Sequence, residues 1–319
     1  MEALQIQLDF ELKRFNATKN SIKSVFIGGG TPSTVESDLY IDIFKKIQPY
    51  LNSKAEITTE ANPNSATKEW LLGMKKLGVN RISFGVQSFN EKKLKLLNRN
   101  HSPKQAKDAI LNAKKIGFEN ISLDLIYATL GDTKELLLND IQTASNLPIN
   151  HLSAYALTIE QNTQFEKKPQ MSSEDINLSR WFLDEIQAHG FNQYEISNFG
   201  SYQSKHNLGY WQYEDYIGLG SGAVGKLGMQ RFYPNNIVEK YIKNPLNIKI
   251  ELLNKDDKKL EHIFLGFRSI VGVKEEVFNK NELKKANILL REKKLYYKNG
   301  IFYNKNYFLA DEITLFLSS

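Results

Sequence analysis

The sequence contains no cysteine among its 319 residues, and this absence excludes two classes of chemistry. Without thiols the polypeptide as given forms neither disulfide bonds nor metal sites with thiolate ligands. It also contains no apolar run that approaches the roughly 20 residues of a membrane-spanning helix. The first residues read MEALQIQLDFELKRF, the pattern of an amphipathic helix rather than of a signal peptide. We therefore expect a cytoplasmic protein without a membrane span.

Acidic residues are in the minority, so the formal net charge is +6 and the isoelectric point is near 9.0. A basic chain is compatible with binding to nucleic acid or anionic lipid. The lysines are nevertheless dispersed as pairs on predicted helices. These pairs are Lys45-Lys46, Lys75-Lys76, Lys92-Lys93 and Lys114-Lys115. Dispersed pairs are typical of solvated helix faces, and we predict no nucleic-acid partner.

Five apolar segments rich in β-branched residues are separated by stretches with helical periodicity. They lie at residues 24–29, 56–61, 81–86, 120–128 and 151–157. This spacing predicts βαβ units and a parallel sheet, either an open doubly wound sheet or a barrel or part-barrel. Both architectures bind ligands at the carboxyl ends of their strands. Polar residues at those ends are therefore the candidates for a site.

Glycine-rich or polar residues follow four of these strands at the point where each ends. They are Gly28, Gly29, Gly30, Thr31 and Pro32 after the first strand, and then Glu60, Gln87 and Asp124. A charged or amide side chain late in an apolar strand costs free energy unless a partner satisfies it. The partner is either a ligand or the loop backbone, and four successive strand ends favour a ligand.

The glycine run does not match a phosphate-binding motif. Walker A requires a lysine directly after the glycines, but none follows Gly30 until Lys45, and Ser33 stands where a dinucleotide fingerprint has its third glycine. A literal G-x-G-x-x-G at residues 220–225 comes after the βα units and is a weak nucleotide signal. The GGGTP run exposes backbone N–H and C=O groups. That suits a ligand with an amine and a carboxylate, such as the amino-acid end of a cofactor.

The βα rhythm stops after residue 198. A segment rich in aromatic residues and glycine follows, and the Lys/Asn-rich composition of residues 240–260 indicates a connector. Residues 258–319 contain two helical patterns and then LYYKNGIFYN, whose Asn-Gly pair predicts a hairpin turn. Two helices followed by a hairpin predict a small winged-helix-like α+β domain.

The motifs GGGTP, EANP, GVQSFN, NRNH and DLIY together resemble radical S-adenosylmethionine (SAM) proteins of the oxygen-independent coproporphyrinogen oxidase (HemN) type. The resemblance runs from about residue 1 to residue 275 in consistent order. It implies an α/β fold, a partial (β/α)6 TIM-like barrel with SAM at the strand ends, followed by the small C-terminal domain. The expected ranges are 1–200 for the barrel, 201–245 for a glycine-rich segment packed on it, and 246–319 for the C-terminal domain.

The resemblance also implies roles for the residues at the strand ends. The run from Gly28 to Pro32 would hold the methionine part of SAM, and Glu60 would pair with its amino group. Gln87, Arg99 and Asp124 match further SAM-contacting positions. A guanidinium such as that of Arg99 grips a carboxylate in a bidentate fork. The alternative for Arg99 is an ordinary solvent-exposed helix end.

A second motif separates two branches of this family. His206, Asn207, Tyr210 and Trp211 form H-N-x-x-Y-W, which marks the branch of heme chaperones and is lacking in the coproporphyrinogen dehydrogenases. The resemblance implies that His206 is an axial ligand of heme iron, since a neutral imidazole suits iron. Tyr210 and Trp211 would stack on the porphyrin. The alternative is a buried aromatic corner with a structural histidine.

The sequence departs from the family in two places. The family's cluster loop, C-x3-C-x2-C, which holds a [4Fe–4S] cluster, is absent, and so is the first barrel strand. We interpret this as a missing N-terminal segment, with evolutionary loss as the alternative, and expect this chain to hold no cluster. In addition, ATLGDT at residues 128–133 replaces the G-L-P-G-Q-T that relatives usually show.

The predicted function is that of a heme chaperone, which binds heme and transfers it to acceptor hemoproteins. The alternative is an oxygen-independent coproporphyrinogen III oxidase, an enzyme of porphyrin biosynthesis, and the H-N-x-x-Y-W motif argues against it. The sequence thus leaves enzymatic activity open. The expected cofactors are SAM and heme, with the cluster expected only in a full-length family member. A peripheral membrane contact and a dimer are also left open.

Overall fold

The computed structural model describes residues 1–160, 165–173 and 175–319. The chain forms two compact units, each built from several stretches of sequence. The first unit comprises Met1–Lys23, Leu39–Ala55 and Ser204–Ser319, and the second unit comprises Ser24–Asp38 and Glu56–Gln203. The ranges 1–200, 201–245 and 246–319 stay predictions.

Strands and helices alternate through most of the chain. The strands are β1 (Ile22–Ile27), β2 (Leu51–Ala61), β3 (Arg81–Gln87), β4 (Asn120–Tyr127), β5 (His151–Ala156), β6 (Asn198–Gly200), β7 (Gly225–Leu227), β8 (Gln230–Pro234), β9 (Ile248–Leu252), β10 (Val273–Lys274), β11 (Leu295–Lys298) and β12 (Ile301–Asn304). The α-helices are α1 (Glu2–Arg14), α2 (Ile41–Ile47), α3 (Lys68–Lys76), α4 (Glu91–Leu96), α5 (Pro103–Ile116), α6 (Lys134–Ser145), α7 (Ile176–Ala188), α8 (Lys205–Trp211), α9 (Val238–Lys243), α10 (Lys255–Gly266), α11 (Lys280–Arg291) and α12 (Ala310–Ser318). All five predicted strands are confirmed.

The largest sheet has six strands in the order β1-β2-β3-β4-β5-β6. Neighbours from β2 to β5 pair in parallel, as the βαβ spacing predicts, and the sheet curls into a half-barrel. The sixth strand, β6, was not predicted, and it pairs antiparallel with β5. A partial barrel rather than an open doubly wound sheet is thus the architecture.

Helix ends in the second unit follow the signals in the sequence. Helix α5 begins at Pro103 after Ser102, whose hydroxyl accepts a hydrogen bond from the N–H of Gln105 in a capping box. It ends at Gly117, whose φ of +100° is the left-handed conformation that glycine adopts without steric cost. These local signals set the length of the crossover between β3 and β4.

The strands of the half-barrel are polar on one face and apolar on the other. Side chains alternate along a strand, so Ser83, Asp124 and Ser153 point to one face of β3, β4 and β5. The alternate residues of these strands, such as Phe84 and Leu123, are fully buried, and α5 contacts both strands. We call the side away from the helices the polar face. The candidate site residues Glu60 and Asp124 belong to it.

The amino ends of the strands carry a buried hydrogen-bond network on the polar face. The His151 imidazole lies 2.7 Å through Nδ1 from the Ser122 hydroxyl and 2.8 Å through Nε2 from the Tyr194 hydroxyl. Burial lowers the pKa of His151 well below its ordinary value, so the ring is neutral. Both ring nitrogens are occupied, which makes this histidine structural.

In the first unit, Gln7 of α1 holds the glycine-rich loop that contains the G-x-G-x-x-G match. Its Nε2 donates to the Gly218 carbonyl at 3.0 Å, and its Oε1 accepts from the Gly220 N–H at 2.9 Å. A Cβ on Gly218 would lie 2.2 Å from the Val224 carbonyl oxygen. Close backbone packing accounts for the glycine at position 218, which lies just before the match.

The prediction of a connector at residues 240–260 is wrong. The segment contains the end of α9, the whole of β9 and the start of α10. Strand β9 pairs antiparallel with β8 in a three-stranded sheet, β7-β8-β9. Its apolar residues, Ile248, Ile250 and Leu252, alternate with Lys249 and Glu251, a strand pattern that the surrounding lysines and asparagines obscured.

The C-terminal α+β region is confirmed. Strands β10, β12 and β11 form an antiparallel sheet, and α10, α11 and α12 share an apolar core with it that includes Phe267, Ala286 and Ile313. The hairpin turns at Asn299 and Gly300, whose φ angles of +53° and +79° are those of the predicted Asn-Gly turn. Helix α12 was not predicted. None of the described helices is both long and apolar enough to cross a membrane.

Candidate functional site

The loop after β1 passes directly beside the Glu60 carboxylate. A Cβ on Gly28 would lie 2.9 Å from Glu60 Oε2 and 2.5 Å from the Phe26 ring, so a larger residue there would displace these two side chains. Gly29 has a φ of +98°, and its N–H donates to the Glu60 carboxylate. A Cβ added to Gly29 or Gly30 would have no atom of the described residues within 4 Å, apart from those of the adjacent residues in the chain. The glycines therefore border open space that a ligand can enter.

The rest of this loop is tied to the residues that follow β2. The Asn62 side-chain amide donates to the Thr31 hydroxyl at 3.3 Å, and the Asn62 N–H donates to the Ser33 hydroxyl at 3.0 Å. Ser33 also shares a hydrogen bond of 2.7 Å with Ser65. Pro32 opens a short 3-10 helix. These bonds hold the GGGTP backbone in place before any ligand binds.

The surroundings of the Glu60 carboxylate favour the binding of a cation beside it. Burial raises the pKa of its carboxyl group, the Asp124 carboxylate raises that pKa further, and the Gly29 N–H lowers it. A partly desolvated carboxylate near a second one is stabilised when a positive group binds. The amino group of an amino-acid ligand is such a group.

Asp124 lies at the centre of the polar face. Its Oδ1 accepts a hydrogen bond from Ser83 at 3.2 Å, and Ser153 on β5 also donates to it. Burial raises the pKa of Asp124, while these two hydroxyl groups and the charges of Arg81 and Arg99 lower it. The positive charges of Arg81 and Arg99 thus favour the ionised form of Asp124.

Arg99 follows α4 and is not a solvent-exposed helix end. Burial lowers the pKa of its guanidinium, and the attraction of Asp124 raises it. Its Nε is buried and has no hydrogen-bond acceptor within residues 1–160, 165–173 and 175–319. A buried guanidinium donor without a partner is costly, and a ligand carboxylate would satisfy it.

Gln87 lies at a break in the sheet. The register between β3 and β4 shifts between Phe84 and Gln87, which marks a bulge, and Gln87 has a φ of +68°. Its side chain is buried, with Nε2 directed toward Gly85 so closely that a Cβ there would lie 3.0 Å away. The bulge turns this amide away from the regular strand direction.

Sequence reasoning missed Tyr155 and Glu195. Tyr155 on β5 is 43% exposed. Partial burial raises the pKa of its hydroxyl group, and the carboxylates of Asp124, Glu195 and Glu60 raise it further. Glu195 is only 1% exposed, and burial raises its pKa to about 7, although the Ser197 N–H donates to it at 3.2 Å. The alternation H-L-S-A-Y-A placed Tyr155 on the polar face, whereas Glu195 lies in a loop without periodicity.

The loop at residues 128–133 contains a strained position. Ala128 has a φ of +57°, a left-handed conformation that costs an alanine about 1 kcal/mol relative to glycine. We expect Ala128→Gly to raise the free energy of unfolding by about that amount, because glycine adopts this φ without a Cβ clash. Urea unfolding of the variant and the wild type measures the difference. Equal or lower stability of the variant would contradict the strain.

In the first unit, the H-N-x-x-Y-W residues lie on α8. The Ser204 hydroxyl caps the helix by accepting from the Asn207 N–H at 3.3 Å. His206 and Tyr210, one helical turn apart, meet edge to face with ring centroids 4.8 Å apart, and Tyr210 meets Tyr216 at 4.6 Å. The indole N–H of Trp211 is buried and finds no acceptor in the described part of the chain.

A second aromatic pair adjoins this cluster. Tyr213 stacks on His262 of α10 with centroids 5.9 Å apart, and the Lys226 ammonium lies 4.1 Å from the centre of the Tyr213 ring. Helix α10 also contacts α8. Burial and the charges of nearby lysines, Lys226 among them, lower the pKa of His262, so its imidazole is neutral. No sequence motif singled out Tyr213, Lys226 or His262.

The residues fit SAM and do not fit an iron–sulfur cluster. Open space at Gly29 and Gly30, the Glu60 carboxylate and the unsatisfied Arg99 Nε match the amino-acid end of SAM. The sequence has no cysteine, and no group of three His, Asp or Glu side chains in the described ranges could hold a metal ion.

The fold and the strand-end site define a half-barrel of the radical SAM class. The sequence profile of the Radical SAM superfamily matches residues 7–144. Coproporphyrinogen III oxidase (HemN) from Escherichia coli, a radical SAM enzyme, superimposes with a TM-score of 0.81 at 17% identity, covering 100% of this chain and 82% of that chain. At this identity the likeness concerns the fold alone.

The sequence relatives are more specific. The heme chaperone HemW of Lactococcus lactis is 36% identical over 84% of this chain and 74% of its own length. HemW of Bacillus subtilis is 35% identical over 81% and 72%, and HemW of Escherichia coli is 40% identical over 66% and 58%. The chain therefore belongs to the radical SAM superfamily and, within it, to the HemW family.

Proposed function

We propose that this chain is a heme chaperone, which binds heme in its first unit and passes it to acceptor hemoproteins. The observation that carries the proposal is the cluster on α8, where His206 and Tyr210 lie on one helix face beside Tyr216. A histidine next to aromatic faces is suited to a flat, iron-containing ligand. The names of the HemW relatives support the same function.

Each residue of the cluster has a distinct role in this proposal. The His206 imidazole ligates the heme iron, and Tyr210 and Trp211 offer aromatic surface to the porphyrin. The buried Trp211 N–H, which lacks an acceptor among the described residues, is a donor for a heme carboxylate. Asn207 contributes through the capped backbone at the start of α8.

We further infer that the second unit binds SAM, which supplies the radical chemistry of this superfamily when it is reduced. Glu60 would pair with the amino group, and Arg99 would take the carboxylate in a bidentate contact. The backbone from Gly28 to Pro32 would hold the methionine part, and Asp124 and Gln87 would form hydrogen bonds with the ribose. These residues bind and orient the cofactor, and no reductive step is assigned to them.

A heme titration tests the chaperone function. We expect the wild-type chain to show a Soret shift that saturates near one equivalent of heme. Replacing His206 by alanine removes the iron ligand and should weaken binding at least about tenfold, since a metal–ligand bond exceeds the roughly 1.4 kcal/mol of a tenfold change. His189→Ala, at the end of α7 in the other unit, is the matched control.

Transfer is measured by mixing the heme-loaded chain with a heme-free globin and following the globin spectrum. Wild-type transfer faster than heme release into buffer supports a chaperone. Two results would overturn the proposal: equal heme binding by His206→Ala and the wild type, or no saturable binding by either. The coproporphyrinogen oxidase alternative is supported here by the likeness of the fold alone.

A further inference from the structure

Two loops at the candidate SAM site begin with a strained residue that is not glycine. Gln87, at the end of β3, has a φ of +68°, and Ala128, directly after β4, has a φ of +57°. Left-handed backbone at such residues persists only when surrounding contacts determine it. Strands β3 and β4 carry Gln87 and Asp124 into the site. The groups that fix the two loops therefore also fix the positions of these site residues.

The loop after β3 is held by Asp140 of α6. The Ser88 hydroxyl donates to Asp140 Oδ2 at 2.7 Å, and the Phe89 N–H donates to Oδ1 at 2.6 Å. Asp140 is 1% exposed, so both bonds are made in the interior. The two residues that follow Gln87 are thus fixed by one buried carboxylate.

The loop after β4 is held in the same way by Asp132. The Thr129 N–H, next to Ala128, donates to Asp132 Oδ2 at 2.9 Å. Asp132 Oδ1 lies 2.7 Å from the Lys93 ammonium of α4, and the side chains of the pair are 1% and 2% exposed. This buried ion pair therefore joins the loop after β4 to the helix after β3.

Lys93 forms an ion pair with Asp132, and its charge also acts on Asp140. Burial raises the pKa of Asp140 and the Asp132 charge raises it further, whereas the Lys93 charge lowers it. Without Lys93, the buried carboxylates of Asp132 and Asp140 would lose this positive charge while still repelling each other. Removing one partner of a buried ion pair leaves an uncompensated charge, which is strongly unfavourable.

We propose that Asp132, Lys93 and Asp140 form a positioning triad that holds the loops after β3 and β4 in the shape the SAM site requires. The two carboxylates bind the backbone N–H groups of Phe89 and Thr129 and the Ser88 hydroxyl, and Asp132, in the sequence ATLGDT, supplies the anion for Lys93. This inference rests on the proposed SAM site. It does not depend on heme binding.

The test compares SAM binding by calorimetry with local amide exchange. We expect Lys93→Met to weaken SAM binding at least about tenfold and to speed exchange of the Phe89 and Thr129 amides, which donate to the two carboxylates. The exposed neighbour Lys92 provides the matched control, and Lys92→Met should behave as the wild type in both measurements. If Lys93→Met does not fold, Asp132→Asn, which removes one anion only, takes its place.

The outcomes separate this inference from the proposed function. Unchanged SAM affinity in a folded Lys93→Met chain, even with a lower melting temperature, would show that the triad is only structural and overturn the inference. Exchange of the Phe89 and Thr129 amides that is as slow in the variant as in the wild type would also overturn the inference. If the wild type does not bind SAM, the proposed SAM site itself fails, and the positioning role fails with it.

Discussion

Replacing Arg99 by alanine is expected to weaken SAM binding by about 30- to 150-fold. A bidentate, charge-assisted contact contributes about 2–3 kcal/mol, and the guanidinium of Arg99 is partly desolvated in advance. Its loss also removes a positive charge that lowers the pKa of Asp124. The ligand would lose its carboxylate partner, and Asp124 would be less ionised. Calorimetric titration with SAM measures the change.

Arg99→Lys tests whether the contribution of Arg99 to SAM affinity depends on its bidentate geometry or on its charge alone. Lysine keeps the charge but cannot form the bidentate fork, so we expect it to recover only part of the affinity. Lys95→Ala removes an exposed cation from α4, the helix that precedes Arg99, and is expected to leave binding unchanged. Full affinity in Arg99→Ala would refute the assignment of this residue to the ligand carboxylate.

Replacing Glu195 by glutamine is expected to stabilise the protein by about 3 kcal/mol at pH 8 and hardly at all near pH 4.5. The pKa of Glu195 is raised from 4.5 to about 7 because the side chain is 1% exposed. Each unit of pKa shift corresponds to about 1.4 kcal/mol. Glutamine resembles the protonated acid and carries no charge that burial would penalise.

The direction of the pH dependence follows from proton binding. Between pH 4.5 and about 7 the folded protein keeps the Glu195 proton, whereas the unfolded chain has lost it. Stability therefore falls as the pH rises through this window and stays lower above it. In Glu195→Gln this contribution to the slope disappears.

Urea unfolding at several pH values between 4.5 and 8.5 measures both effects. Glu119→Gln, at an exposed position, is the control and should retain the wild-type pH dependence. The same slope in Glu195→Gln as in the wild type would show that Glu195 is ionised in the folded protein throughout this range.

The sequence predicted the strands of the half-barrel because each signal was local. The run SVFIGGG marks both the end of β1 and the loop after it, and Ser102 with Gly117 marks the two ends of α5. Short strands and helices without such signals were missed. Strand β6 has only three residues, and its antiparallel pairing with β5 is a long-range contact.

The lysine pairs show the limit of local reasoning most directly. Lys92 and Lys93 were both predicted to lie on a solvated helix face, and for Lys93 this is wrong, since its side chain is 2% exposed. Adjacent residues on a helix point about 100° apart, so one of a pair can face the core. Which one does depends on the position of Asp132, which lies in another loop.

The sequence by itself determined the family, the five strands β1 to β5 and the identity of the residues at the strand ends, because these follow from motifs and local periodicity. Only the tertiary structure decided which charges are buried and which of them meet. Glu195, Lys93 and Asp140 have no distinctive neighbours in the sequence. Their burial, and in two of them the shift of the pKa, arises from segments that the half-barrel brings together.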